Sequence, residues 1–328
     1  MQKIITSLLS DLKLEPILMD IGASHAPPRI WNPIAAHSVY VAFDPDLREM
    51  HEDRSGRFRR SVIVNEAVIP TAARDEVTFY LTRFPFASTT LEPHAGHTSH
   101  WLNGDQFDVE RTATVRATTI DSALKRASVK GVDWIKTDSQ GTDLRLFNSI
   151  APDVRARVLA LDIEPGFIEI YQNEDLFPQV HDDLTRNGFW LARLDIGGFV
   201  RMRRQSLQAA RSIDPRIDES FIEGAVQTSP AYAGARYLRT LEWLAHSSFG
   251  EREYALLWMF AVMDYQLGYA LDVVFELEKI HGPSALSRRL RVSTWELLQR
   301  AHRRRQVRKV MTRVTGALER VARRLVSR

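Results

Sequence analysis

"VDWIKTDSQGTDLRLF", residues 132–147, opens as a short apolar run around one lysine, ends that run on Asp138, turns through Gln140 and Gly141, and reaches Asp143 as a helix begins. A short apolar run bounded by turn residues reads as a buried strand. An acidic residue in the first turn suits the positive end of the helix that follows. Strands that feed helices in this way form crossover units, and crossover units build a parallel sheet whose ligands lie beyond the carboxyl ends of its strands. Asp138 is therefore placed to project into a cleft, although the same residue also reads as a cap of the following helix.

The alternation continues on both sides. Apolar runs predict strands at 17–21, 39–44, 62–69, 77–81, 109–116, 134–137, 158–163, 189–194 and 199–203, with helical patterns at 120–127, behind the capping candidate Thr119, and at 144–150. This is an α/β pattern with a mostly parallel sheet. From about Glu219 strand patterns give way to apolar residues at helical spacing, broken at Gly250. The reading divides the chain into 1–204, a cofactor-binding α/β domain; 205–287, a helical appendage; and 288–328, a basic amphipathic tail.

Composition removes several classes of function. Of the 328 residues 44% are hydrophobic and 26% charged, with no cysteine, so disulfides, thiolate metal sites and a cysteine nucleophile are excluded. The first twenty residues carry charges and no small-residue cleavage site, which argues against a signal peptide. The longest apolar window is interrupted by Asp264 and Asp272, so a soluble, cytoplasmic protein is expected.

Charge is unevenly distributed. Residues 288–328 hold 14 basic and 2 acidic side chains, leaving 30 basic and 39 acidic for the rest. A body of that sign repels a polyanion, and the tail has no aromatic residue beyond Trp295 for base stacking, so no nucleic-acid partner is expected. In the tail, Val307, Val310, Val314, Leu318, Val321 and Leu325 recur at helical spacing, with Arg308, Lys309, Arg313, Arg320, Arg323 and Arg324 elsewhere on the wheel. Such a helix suits peripheral association with an anionic membrane at its inner face, or packing against the appendage or a second subunit in a homo-oligomer.

Four more stretches bear on chemistry. "ILMDIGASHAPPRIW", residues 17–31, ends a strand at Asp20 and turns through Gly22 and Ala23, but Pro27 and Pro28 and the single glycine do not make a pyrophosphate cradle. "VYVAFDPD" places Asp44 at the next strand end, where an acidic residue can accept hydrogen bonds from a ribose diol. "NEAVI" sets Asn65 and Glu66 near the expected adenine position, or else marks a polar interruption at a strand edge. "LEPHAGHTSHW" spaces His94, His97 and His100 three apart, a candidate base or metal cluster, although Pro93 and Gly96 favour a loop with solvated histidines.

Taken together, "DIGAS", "VAFDPD", "TTIDSAL", "VDWIKTDSQGTDLRLF" and "LALDIEPGFIEIYQNEDLFPQVHDDLTRNGFWLARLD" resemble, in order and spacing, the FkbM family of S-adenosylmethionine-dependent methyltransferases. The resemblance covers about residues 15–204. It implies a class I methyltransferase (Rossmann-like) fold, a seven-stranded sheet with helices on both faces, S-adenosyl-L-methionine as cofactor, and O-methylation of a hydroxyl on a small-molecule or glycan acceptor. The cofactor-binding residues it suggests are Asp20, Gly22, Ala23, Asp44, Asn65, Glu66 and Asp138. Relatives usually show a further glycine after "DIGA", where this chain has His25, Ala26, Pro27 and Pro28; an inactive binding module is the alternative that this departure leaves open.

An aliphatic hydroxyl is too weak an acid to ionise near neutral pH, so the reaction calls for a base or a metal ion. Asp138 is the first candidate for the base and His94 a rival. Glu164, in "LDIEPG", could bind an acceptor hydroxyl, hold a divalent metal with Asp138, or cap a following helix.

Overall fold

The computed structural model describes residues 1–24, 26–45, 56–246 and 249–326, with side chains only to Val307 in the last helix. The chain forms two compact units, residues 5–248 and residues 249–328 with 1–4. In chain order the strands of the first unit are β1 (Ile17–Ile21), β2 (Val39–Phe43), β3 (Arg60–Val64), β4 (Ala67–Val68), β5 (Glu76–Thr82), β6 (Val109–Thr118), β7 (Trp134–Thr137), β8 (Ala160–Ile163), β9 (Phe189–Phe199) and β10 (Ser229–Arg239).

Seven of them make one sheet in the order β3-β2-β1-β7-β8-β10-β9. All pairs from β3 to β8 are parallel, and β10 runs antiparallel to both its neighbours. Every residue of β2 is buried, as are four of the five in β1, which is why these strands read as unbroken apolar runs rather than alternating ones. The core beneath them is built from Met19, Val41, Ile135, Leu146, Leu161 and Tyr237 with their neighbours. Strand order reverses between β1 and β7, the switch point at which an open α/β sheet leaves a crevice.

The structure departs from the sequence reading in three places. The run 62–69 is two strands, β3 in the main sheet and β4 in a three-stranded sheet β4-β6-β5, because the chain leaves the main sheet at Asn65 and Glu66. The run at 189–194 extends as the single strand β9 to Phe199, and the separate strand expected at 199–203 does not form, residues 200–203 being irregular. Most consequentially, the sheet does not end near residue 204. β10 lies within the stretch expected to be helical, inserted between β8 and β9 with Ala231, Ala233, Ala235 and Tyr237 buried. Its composition, "SPAYAGARYLR", is poor in strand formers, and pairing on both edges overrides that weak propensity.

β10 ends on Arg239, which is 2% exposed. Its guanidinium donates to the carbonyls of Val158 (2.6 Å), Asn187 (2.5 Å) and Arg155 (2.8 Å), and it sits over the rings of Phe189 and Trp243. This one side chain satisfies three carbonyls at the amino end of β8 and the turn before β9.

The second unit contains three long helices, Glu251–Met263, Leu267–His281 and Ala285–Val326. The first is apolar on every side and buried from Glu253 to Met263, so it forms the centre of the unit. Trp258 Nε1 donates to Thr294 Oγ1 at 2.8 Å and ties it to the last helix. That helix continues to Val326; of the wheel positions read from the sequence, those from Arg308 to Leu325 lie outside the described side chains. Among the described residues no helix is long and apolar enough to cross a membrane.

Candidate active site

The carboxyl ends of β1, β2 and β7 are tied together by backbone. Gly22 and Ala23 both donate their N–H groups to Phe43 O at 3.0 Å, and Asp138 N donates to Ile21 O at 3.0 Å. Gly22 has φ +73°, and a Cβ there would stand 2.0 Å from the carbonyl oxygen of Asp138. Only glycine allows that approach, so the single glycine of the opening turn brings β1 against β7.

Beneath this junction lies a charged cluster. The register pairs Asp20 with Lys136 on adjacent parallel strands. Lys136 Nζ stands 3.3 Å from Asp20 Oδ1, 3.1 Å from Gly22 O and 3.4 Å from Asp138 Oδ2. Tyr40 donates its hydroxyl to Asp20 Oδ2 at 2.8 Å. Burial pushes the Asp20 carboxyl up while Lys136 and Tyr40 pull it down; for Lys136 burial lowers the ammonium, but the carboxylates of Asp20, Asp138 and Glu164 outweigh it and hold its pKa above the usual lysine range.

Two cavities meet above the cluster. The first, an open cleft, is lined by Gly22, Asp44, Glu66, Val68, Phe79 and Asp138 among others. The second is walled by Phe107, Phe199, Tyr171 and Tyr232 and is lined also by Glu164 and Glu174. Phe86 and Gln140 line both.

The wall between them is a hydrogen-bonded chain. The Tyr171 hydroxyl lies between two acceptors for its one proton, Gln140 Oε1 at 2.8 Å and Ala87 O at 2.9 Å, and Gln140 Nε2 donates to Asp138 Oδ1 at 2.6 Å. Gln140 has φ +59° and Gly141 φ +105°, so the turn exposes the Gln140 side chain at the junction. Asp143 holds that turn: its Oδ1 accepts from Ser139 N at 2.8 Å and Ser139 Oγ at 2.5 Å, and its Oδ2 accepts from Glu164 N at 3.3 Å. Asp143 anchors the turn, and Asp138 remains directed at Lys136 and Gln140.

Glu164 sits beside Asp138. Burial first and then the Asp138 charge push its carboxyl up to about 9, so it is protonated at neutral pH. It caps no helix, because the helix after β8 begins only at Phe177. Glu174 accepts from Ile170 N (2.7 Å) and Tyr171 N (3.1 Å), and burial raises it to about 7.

Of the residues singled out from sequence, Gly22, Asp44, Glu66 and Asp138 line the first cavity and Glu164 the second. Asp44 is 4% exposed. Glu66 reaches the cleft with its carboxylate already paired to Arg126. Asp20 and Ala23 lie behind the cleft wall, and Asn65 is exposed where the chain leaves the main sheet; none of the three lines the cavity. His94 does not line either cavity: it stacks on His97 at 3.8 Å between ring centroids, while His100 lies 2.9 Å from an Arg203 nitrogen. The short helix Ala95–Thr98 turns this segment away from the junction.

Sequence reading passed over Lys136, Gln140, Tyr171 and Glu174. Lys136 carried a local signal, a lone charge inside a strand that should be wholly apolar. Tyr171 and Glu174 carried none, since they lie in an irregular segment between β8 and Phe177.

No curated protein and no solved structure matches the chain. A sequence profile of the methyltransferase FkbM domain matches residues 20–191, which begins at the end of β1, takes in the glycine turn, β2 to β8, Asp44, Asp138 and Glu164, and ends within β9. With more than half of its length inside that domain, and a seven-stranded sheet of the expected kind around the cleft, the chain belongs to the FkbM methyltransferase family.

Proposed function

We propose that this protein is an S-adenosylmethionine-dependent O-methyltransferase acting on a hydroxyl of a saccharide or glycan. The observation that carries the reading is the meeting of two cavities at Phe86 and Gln140, with Asp138 on the wall of the first and hydrogen-bonded to Gln140. The first cavity has the features that S-adenosylmethionine requires. Asp44 stands at the end of β2, where an acidic residue takes ribose hydroxyls. Val68 and Phe79 offer an apolar wall for a purine. A sulfonium cofactor carries no phosphate, so the opening turn needs close backbone approach at Gly22 and no glycine-rich anion cradle. When bound, the cofactor supplies an electrophilic methyl group.

The chain's own groups do the rest. The aromatic walls of the second cavity suit the apolar face of a sugar ring, and Glu164, whose carboxyl burial and the Asp138 charge hold protonated, can exchange hydrogen bonds with a hydroxyl without placing charge beside it. Asp138 is the base that takes the acceptor proton. Lys136 and Gln140 fix its carboxylate, and Tyr171 fixes Gln140.

Titration calorimetry with S-adenosylmethionine, S-adenosylhomocysteine and NAD, followed by methyl transfer to a panel of sugars, tests this reading. Binding of the sulfonium pair but not of NAD is expected. Asp44→Ala should weaken that binding by about tenfold, the worth of one good hydrogen-bonded contact. Asp138→Asn should keep binding and lose about 10²–10⁴-fold in turnover. A folded sample that binds neither sulfonium ligand would point instead to a non-catalytic binding module.

A further inference from the structure

Outside the junction, a second group of titratable side chains is brought together by tertiary structure. Segments 92–98 and 169–173 run against each other: Pro93 bridges Tyr171, His94 N donates to Ile170 O at 2.7 Å, and Gln172 N donates to Glu92 O at 2.8 Å. His94 precedes the helical turn Ala95–Thr98, so His94 and His97 stand one turn apart on the same side. Their rings are parallel to within 2°. His97 Nδ1 lies 2.7 Å from the carbonyl oxygen of Glu169, and Glu169 Oε1 accepts from Asn173 N at 2.6 Å. One ring nitrogen from each histidine and one Glu169 carboxylate oxygen all lie within 4.8 Å of one another.

This arrangement has the parts of a metal site rather than those of a solvated loop. A ligating histidine commonly donates one ring N–H to a backbone carbonyl, which fixes the tautomer and leaves the other nitrogen's lone pair free for the ion. His97 makes such a bond, and the Asn173 amide steadies the Glu169 carboxyl. Among the described residues no partner holds the His94 ring beyond its stacking on His97. Zinc takes imidazole nitrogen and carboxylate oxygen at about 2.0–2.2 Å, so its ligand atoms are ~3.3 Å apart; an imidazole lone pair lies in its ring plane, so the stacked His94 ring, which no hydrogen bond holds among the described residues, must turn out of parallel with His97 for both to converge on one ion. Two histidines, one glutamate and an exposed open side form a three-ligand set with room for a water.

We propose that His94, His97 and Glu169 bind a zinc-type divalent cation that clamps segment 92–98 to segment 169–173. Ile170 and Tyr171 in the second segment wall the second cavity, so the ion stiffens that wall. The site is separate from the junction and does not depend on the methyl-transfer reading.

The test uses the full chain, freed of metal by chelator and dialysis. It is titrated with zinc by calorimetry, and with cobalt(II) by visible absorption. One ion per chain at micromolar affinity is expected, with a rise in thermal midpoint on zinc addition. His97→Ala and Glu169→Gln should each weaken binding at least tenfold and remove the thermal shift; His100→Ala, with its ring at Arg203, should leave both unchanged. No binding at micromolar zinc, or equal binding by wild type, His97→Ala and Glu169→Gln, would overturn the assignment.

Discussion

Replacing Lys136 by methionine probes the charged cluster under the junction. The ammonium lies within 3.4 Å of Asp20, Gly22 O and Asp138. Asp20 is 2% exposed, and without Lys136 its carboxylate keeps only the Tyr40 hydroxyl among the described residues. Removing one partner of a buried pair costs about 3–5 kcal/mol when the other must stay charged. Asp20 can escape part of that cost by keeping a proton. Its folded-state pKa is already raised by burial with Lys136 opposing, and without the lysine it rises further. The folded variant then binds a proton that the unfolded chain releases near its ordinary pKa of about 3.9. Its stability therefore falls as pH rises above that value, by up to ~1.4 kcal/mol per unit, until the folded pKa is passed, and recovers toward acid. Urea unfolding of wild type, Lys136→Met, Asp20→Asn and the double variant, at about pH 5 and about pH 7.5, measures this. The double variant should be more stable than Lys136→Met alone at the higher pH, since it buries no unpaired charge. A loss below about 1 kcal/mol for Lys136→Met, the same at both pH values, would refute the reasoning.

Two further outcomes follow from buried groups. Glu164 is held protonated up to about pH 9, whereas an unfolded glutamate ionises near its ordinary value, so over the interval between them the wild type loses stability with rising pH. Glu164→Gln lacks this dependence: the difference in unfolding free energy between variant and wild type should grow in the variant's favour from about pH 5 to pH 9, at no more than ~1.4 kcal/mol per unit, and a pH-independent difference would show Glu164 to be ordinary. Arg239→Met removes three hydrogen bonds to carbonyls, of which Arg155 O keeps the Val158 N–H, and at about 1 kcal/mol each it should cost roughly 3 kcal/mol in urea unfolding, whereas a loss under about 1 kcal/mol would mean that water replaces the guanidinium.

Where the sequence was legible, the information was local. Apolar runs ending in Asp20, Asp44 and Asp138 mark strand ends because side-chain period and turn composition act over four to eight residues. β1 and β7 match the predicted spans residue for residue. β10 was hidden, because "SPAYAGARYLR" has no strand signal of its own and becomes a strand only between β8 and β9. The split at Asn65 and Glu66 was hidden too, since β4 finds its partner β6 some fifty residues later.

The histidines mark the same boundary. Their spacing showed a group of three, but the fold divides it, giving His94 and His97 to Glu169 and His100 to Arg203. By itself the sequence determined the α/β pattern, the glycine at the opening turn and the acidic strand ends, because each depends on the backbone preferences of neighbouring residues. Only the tertiary structure decided that Lys136 joins Asp20 to Asp138, that Tyr171 reaches Asp138 through Gln140, and that a second aromatic cavity opens beside the first. Lys136 and Gln140 are each two residues from Asp138, but the contacts of Lys136 with Asp20 and of Tyr171 with Gln140 join residues from about thirty to more than a hundred positions apart, and no periodicity within one element encodes which distant element it will pack against.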